Sequence, residues 1–268
     1  IAVSVLATVT SAVTYGLRRE AAEVRKLGQY TLVRKLGEGG IGVVYEATHA
    51  MLRRPTAVKL LRPERLDEAS LARFEREVRA TSELTHPNTV RVFDYGRTPD
   101  GVFYYAMERV PGCTLTRAVD VDGPMPPSRV IWLLHQMAGA LAEAHDMGLV
   151  HRDVKPDNVL FAYTPGFGDT AKVADFGLVR ELDSADASIT RDGAILGTPH
   201  YMAPEVIRGA PTEPRSDLYA LGCVAFFLLT GEQVFEGQTI VEVCSNHLTE
   251  PSDLASARRG EALSVGLD

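Results

Sequence analysis

From Tyr30 onward the apolar positions fall first into short β-type runs and later into helical spacing. YTLVRKLGEG, GVVYEATH and PTAVKLL are separated by Gly and basic clusters, which predicts an antiparallel sheet with tight turns. Over 68–84, EASLARFEREVRATSEL repeats Leu71, Phe74, Val78 and Leu84 at helical spacing, and two more strands are predicted around Val90–Tyr95 and Val102–Glu108. The pattern then turns helical. Residues 128–147 predict a long apolar helix with Ser128 as its N-cap, and 216–230 an almost wholly apolar, buried helix stopped by Gly231. A further helix is predicted near Gln238 to His247, followed by a polar, loop-like tail, PSDLASARRGEALSVGLD. The order is a small β-rich lobe with one main helix, then a larger, mostly helical lobe: an α+β architecture.

The first 17 residues follow another rule. They carry no charge, 11 are apolar, and Arg18, Arg19, Arg25 and Lys26 follow closely behind. As a helix they would span roughly 25 Å, short of the roughly 30 Å hydrocarbon core. A signal peptide carries its positive charges before the apolar run, whereas here they come after it. Residues 1–17 therefore read as the end of a membrane-spanning helix, with a buried or interfacial helix as the alternative. Residues 18–29 read as a charged helical connector on the cytoplasmic side. Ile1 in place of Met reads as the start of a fragment.

Composition narrows the partners. The net charge of −7 and pI near 5.6 argue against a nucleic-acid binder, which neutralises phosphates with an excess of Lys and Arg. Cys113, Cys223 and Cys244 form no CxxC pair and read as small buried apolar side chains in a reducing compartment.

Five ordered motifs carry the chemistry. Leu36-Gly37-Glu38-Gly39-Gly40-Ile41-Gly42-Val43-Val44 lies between two β-type runs. Its glycines let backbone N–H groups approach a phosphate without Cβ interference; a plain Gly-rich hairpin is the alternative. Thr56-Ala57-Val58-Lys59 lies in the next strand, and Glu77 lies 18 residues further on in the predicted helix. Then come His151-Arg152-Asp153-Val154-Lys155-Pro156-Asp157-Asn158, Asp175-Phe176-Gly177, and Gly197-Thr198-Pro199-His200-Tyr201-Met202-Ala203-Pro204-Glu205.

In order and spacing these resemble the signature set of the eukaryotic-type (Hanks-type) protein kinases, of the Ser/Thr class found widely in bacteria. The resemblance runs from about Tyr30 to about Leu248. It implies a two-lobed kinase fold over 30–268, with an N-lobe of 30–110 and a C-lobe of 111–268. It implies that Gly37 to Gly42 cover the phosphates of ATP, and that Lys59, held by Glu77, contacts the α and β phosphates. Asn158 and Asp175 would hold Mg²⁺, Asp153 would accept the substrate hydroxyl proton, and Lys155 would steady the transferred group. Leu36, Val44, Ala57 and Leu160 would sandwich the adenine with Met107 behind it, and Glu108 and Val110 would offer backbone hydrogen bonds.

Lys155, and Thr198 before Pro199, match the kinases that act on Ser or Thr hydroxyls of proteins. Arg152 resembles the Arg of kinases switched by activation-segment phosphorylation, which implies that phosphorylated Ser188 or Thr190 pairs with its guanidinium through self-phosphorylation between copies; plain loop hydroxyls are the alternative. By the same resemblance Asp217 anchors the catalytic-loop backbone. Two features depart from the pattern. The piece TPGFGD reads as a longer hairpin turn, and neither Arg258 nor Arg259 matches the Arg that pairs with Glu205 in the family, so the C-lobe reads as incomplete. The rivals are a pseudokinase scaffold, disfavoured because Lys59, Asp153, Asn158 and Asp175 are all present, and a small-molecule phosphotransferase, which would lack the GTPHYMAPE segment.

Overall fold

Strand β4 (Pro55–Leu61) is apolar almost throughout because it runs through the middle of a sheet and is buried on both faces. The computed structural model describes residues 26–39, 42–61, 68–98, 101–166, 168–176, 199–260 and 262–263. Residues 1–25, Gly40, Ile41, Gly177, Ser188, Thr190, Gly197 and Thr198 lie outside the described residues. So does any test of the expected membrane helix. Among the described residues no helix is long and apolar enough to cross a membrane.

The chain divides into two units. One takes the described residues of Ile1–Arg65 and Val92–Arg109, and the other those of Leu66–Arg91 and Val110–Asp268. The first is an antiparallel sheet of β1 (Lys26–Leu27), β2 (Tyr30–Glu38), β3 (Gly42–His49), β4, β5 (Val92–Arg97) and β6 (Phe103–Glu108). Its strand order is β1-β2-β3-β4-β6-β5. Leu27, Tyr30, Leu32, Ala47, Val58 and Ala106 form its core. The three Gly-punctuated runs of the sequence are β2, β3 and β4. The expected helical connector gives way at Lys26–Leu27, which pairs with Tyr30 and Thr31 across a turn in which Gly28 takes φ +55°. That turn buries Leu27 in the sheet core, which a continuing helix could not do.

The second unit holds α1 (Glu68–Ser82), β7 (Cys113–Thr114), α2 (Leu115–Asp122), α3 (Pro127–Asp146), β8 (Val159–Thr164) and β9 (Gly168–Val173). It continues with α4 (Pro204–Ile207), α5 (Pro214–Thr230), α6 (Ile240–Thr249) and α7 (Ala255–Arg259). Leu133, Met137, Leu141 and Ala144 of α3 share one core with Val224, Phe227 and Leu228 of α5. Burying each Leu, Met or Phe there contributes about 2 kcal/mol.

Several expectations are corrected. Helix α1 groups by its contacts with the residues that follow it, which are bonded to α3 and β9. Ser128 is not an N-cap: Pro127 presets the helical φ and starts α3 one residue earlier, after Pro126. Helix α5 opens on a capping box of Glu213 and Ser216 and ends, as expected, on Gly231 in the left-handed conformation at φ +77°. The TPGFGD piece is the β8–β9 turn, where Gly166 and Gly168 take positive φ. Part of the tail, expected as loop, is helix α7. Its Arg259 donates to the carbonyls of Met125 and Leu229, satisfying an open end of α5. Arg258 pairs with Glu232 and Asp253. Glu205 accepts instead from Ser216 Oγ at 2.7 Å. Cys223 and Cys244 are buried as expected, whereas Cys113 on the two-residue strand β7 is only half-buried; none of the three is bridged.

Candidate active site

The polar residues of the third motif sit on a short loop of the larger unit that opens into a 3-10 turn, Pro156–Asn158. Asp153 Oδ2 lies 2.7 Å from Lys155 Nζ and accepts from Asn158 Nδ2 at 2.8 Å. The same Nδ2 also donates to the Asp153 carbonyl. One carboxylate oxygen is thus held by a cation and an amide.

The loop is held from below by Asp217, buried in the first turn of α5. Its Oδ2 accepts from the backbone N of His151 at 2.8 Å and lies 2.8 Å from His145 Nε2, and its Oδ1 accepts from Arg152 N at 2.9 Å. This is the anchoring the resemblance implies for Asp217. His145 was not expected; the readable signal was a polar residue near the end of an apolar helix face.

His151, fully buried, accepts from Asp153 N on Nδ1, so its Nε2 carries the proton that reaches the Ala174 carbonyl at 3.0 Å. Its ring packs on Phe176, which is also fully buried. Arg152 and Asp175 adopt left-handed backbone at φ +67° and +60°. Such conformations cost of order 1 kcal/mol each and persist where surroundings over-determine them, as Asp217 and the Phe176 packing do here.

Glu77 of α1 points its Oε1 at the Arg152 guanidinium, 2.9 Å away. Sequence reading assigned Glu77 to Lys59 and Arg152 to a phosphate, and did not foresee that these two meet.

In the smaller unit, strand register puts Val44 opposite Lys59, and Lys59 opposite Tyr105. Ala57, two residues from Lys59, stands opposite Met107. Side chains alternate along a strand, so Val44, Ala57, Lys59 and Met107 share one sheet face. Lys59 is only 6% exposed, not the solvated edge lysine that a lone Lys in a strand suggests, and its Nζ lies 5.9 Å from the Tyr105 ring centre. Leu36, Gly37, Glu38 and Gly39 are exposed at the end of β2, and Glu38 pairs with Lys35. Glu108 ends β6. In the larger unit Val110 is buried and Leu160 stands on β8 opposite Thr114.

Mg²⁺ takes oxygen ligands and shares them with substrate phosphates. Asp175 offers a carboxylate and Asn158 an amide oxygen, since the Asn158 Nδ2 is engaged with Asp153. This donor set fits the ion.

The protein kinase domain family matches residues 30–261. The chain is 39% identical over 237 residues to the serine/threonine-protein kinase pkn3 of Myxococcus xanthus, covering 87% of this chain and 43% of that protein. It is 40% identical over 244 residues to PknB of Mycobacterium tuberculosis, covering 90% of this chain and 38% of that protein. The chain therefore spans less than half the length of these curated relatives. Among solved structures, the PknI kinase domain of Mycobacterium tuberculosis matches at 31% identity with a TM-score of 0.67, covering 88% of this chain and 83% of that one.

Proposed function

The chain belongs to the protein kinase domain family, and we propose that it transfers the γ-phosphoryl group of ATP to a Ser or Thr hydroxyl of a protein. The observation that carries this reading is the Asp153 carboxylate oxygen, within 2.8 Å of both Lys155 Nζ and Asn158 Nδ2, on a loop anchored by buried Asp217.

Asp153 is the group that accepts the hydroxyl proton as the oxygen attacks, and it orients that oxygen in line with the γ-phosphorus. Lys155, already beside the Asp153 carboxylate, brings a positive charge to the transferred group. Lys59 binds the α and β phosphates, and the backbone from Gly37 to Gly42 covers them. Leu36, Val44, Ala57, Met107 and Leu160 enclose the adenine, with Glu108 and Val110 offering it backbone hydrogen bonds. Asn158 and Asp175 would hold Mg²⁺, which when bound offsets phosphate charge. Phosphoryl transfer needs mostly positioning and counter-charge, and this set of residues supplies both.

Incubation of the chain with Mg²⁺ and ATP should raise its intact mass in steps of one phosphate, with Ser188 and Thr190 the expected acceptors between copies. Lys59→Met and Asp153→Asn should abolish the gain while leaving the thermal unfolding transition in place. Undiminished incorporation in both variants would sink the mechanism. We also propose that residues 1–17 tether the protein to a membrane. Deleting them should move it from the membrane pellet to the supernatant, and an unchanged distribution refutes the tether.

A further inference from the structure

Glu77 is five residues from the end of α1, and what fixes that end is visible in the same unit. After Ser82 the chain turns, with Glu83 N donating to the Ala80 carbonyl and Leu84 N to that of Thr81, and Leu84 enters the core shared by α3 and α5. The next two residues then converge on one side chain. Thr85 N donates to Glu143 Oε1 at 3.0 Å, Thr85 Oγ to the same oxygen at 2.8 Å, and His86 N to Oε2 at 2.9 Å. Burial pushes the Glu143 carboxyl up, but these hydrogen bonds outweigh it and hold the group below the ordinary Glu range.

The contact continues back along α3. The His86 ring lies over Gly139, where a Cβ would sit 2.9 Å from Nε2, and Asn88 Nδ2 donates to Gln136 Oε1 at 2.6 Å. Residues 136, 139 and 143 lie at helical spacing on one face of α3, so the segment after α1 runs along that face. Asn88 then joins β9 through the carbonyl of Ala171 and the N–H of Val173.

We propose that Glu143 is a positioning residue for phosphoryl transfer. Its carboxylate fixes the end of α1 on α3, and so sets where Glu77 meets Arg152, the residue before Asp153. Glu143 touches neither substrate nor nucleotide in this scheme. It acts through Glu77 and Arg152, whose 2.9 Å ion pair joins α1 to the catalytic loop. The inference rests on the kinase reading above.

The test is steady-state ADP release by the full chain with Mg²⁺, ATP and a Ser/Thr peptide that the wild type accepts. Glu143→Ala should lower kcat about tenfold, as expected when a remote change misplaces a catalytic group. Its KM for ATP should stay within about twofold. Glu143→Gln keeps an acceptor oxygen for Thr85 but turns an NH₂ toward the His86 N–H, so its kcat should fall between those of Ala and wild type. Thr85→Val deletes only the hydroxyl donor and should cost least. Amide exchange at Thr85, His86 and the last turn of α1 should quicken in the same order.

Wild-type kcat in a folded Glu143→Ala overturns the proposal, as does an effect confined to KM. If Glu143→Ala shows no cooperative unfolding transition, wild-type kcat in both Glu143→Gln and Thr85→Val overturns it instead. A wild-type chain with no turnover sinks the kinase reading and this inference with it; a wild type that turns over alongside equal variants sinks the inference alone.

Discussion

A Cβ added to Gly42 would lie 2.2 Å from the Leu60 carbonyl oxygen, whereas one added to Gly37 or Gly39 would meet nothing within 4 Å among the described residues. One Gly-rich motif thus contains two kinds of glycine. Gly42 opens β3 and sits opposite Leu61 of β4, so its missing side chain is a condition of strand pairing. Gly39 stands exposed beyond β2, its N–H donating to the Gly42 carbonyl at 2.9 Å and no Cβ standing between that turn and what approaches from outside. Gly42→Ala should therefore cost about 2 kcal/mol of stability, the usual penalty for overpacking, seen as a lower urea midpoint. Gly39→Ala should leave that midpoint within about 0.5 kcal/mol of wild type while raising the KM for ATP. A destabilised Gly39→Ala, or a Gly42→Ala as stable as wild type, would refute this division. The spacing of the glycines was legible in the sequence and the division was not, because it depends on where the Leu60 carbonyl points. Likewise Asp153, Lys155 and Asn158 were legible as a motif, but the encounter of Arg152 with Glu77 was not, since it depends on where a helix far back in the chain comes to rest.

At the scale of elements, what could be read in advance was what carries its own periodicity. Strands β2 to β4 and helices α1, α3 and α5 announce themselves through apolar spacing and glycine stops such as Gly231. The short elements do not. Strand β1 has two residues and forms only because β2 is there to pair with it, and α7 has five, ended by Gly260 and held through Arg259. Isolated segments that short cannot offset their own ordering entropy, so no local signal marks them. Helix α2 is a different omission. Thr114 caps it by accepting from Arg117 N, Leu115, Ala118 and Val119 are buried, and Gly123 ends it at φ +79°. Those start and stop signals stand in the sequence. The placement of α1 could not have been read from any one stretch, because its anchors Glu143, Arg152 and Ala171 lie far along the chain.

At the scale of the whole molecule, buried imidazoles set the response to acid. His247 is buried with its Nδ1 2.7 Å from the Tyr219 hydroxyl and its ring against Phe235, and burial pushes it down to about 4. Burial lowers His200 as well. A histidine whose folded value is depressed binds its proton more weakly when folded, so stability is complete above about pH 6.5 and falls as the pH drops toward 4. Between pH 6.5 and 5 the loss from His247 should reach at most about 2 kcal/mol, at about 1.4 kcal/mol per pH unit. The carboxylates of Glu143 and Glu205, held below their usual range, add their losses at lower pH still. In His247→Asn, whose Oδ1 can stand in for Nδ1, the fall in melting temperature from pH 6.5 to 5 should flatten; a slope as steep as wild type would exclude His247 as its source. The anchoring of α1 also bears on the order in which the protein can be made. Its sites on α3, the catalytic loop and β9 follow it by some sixty to ninety residues, so a nascent chain leaving the ribosome N-terminus first presents α1 well before these sites exist. For that interval, several seconds at ordinary rates of translation, Leu84, which ends up in the core shared by α3 and α5, is apolar surface without a seat, and a chaperone that covers it would act on this kinase domain before half of it exists.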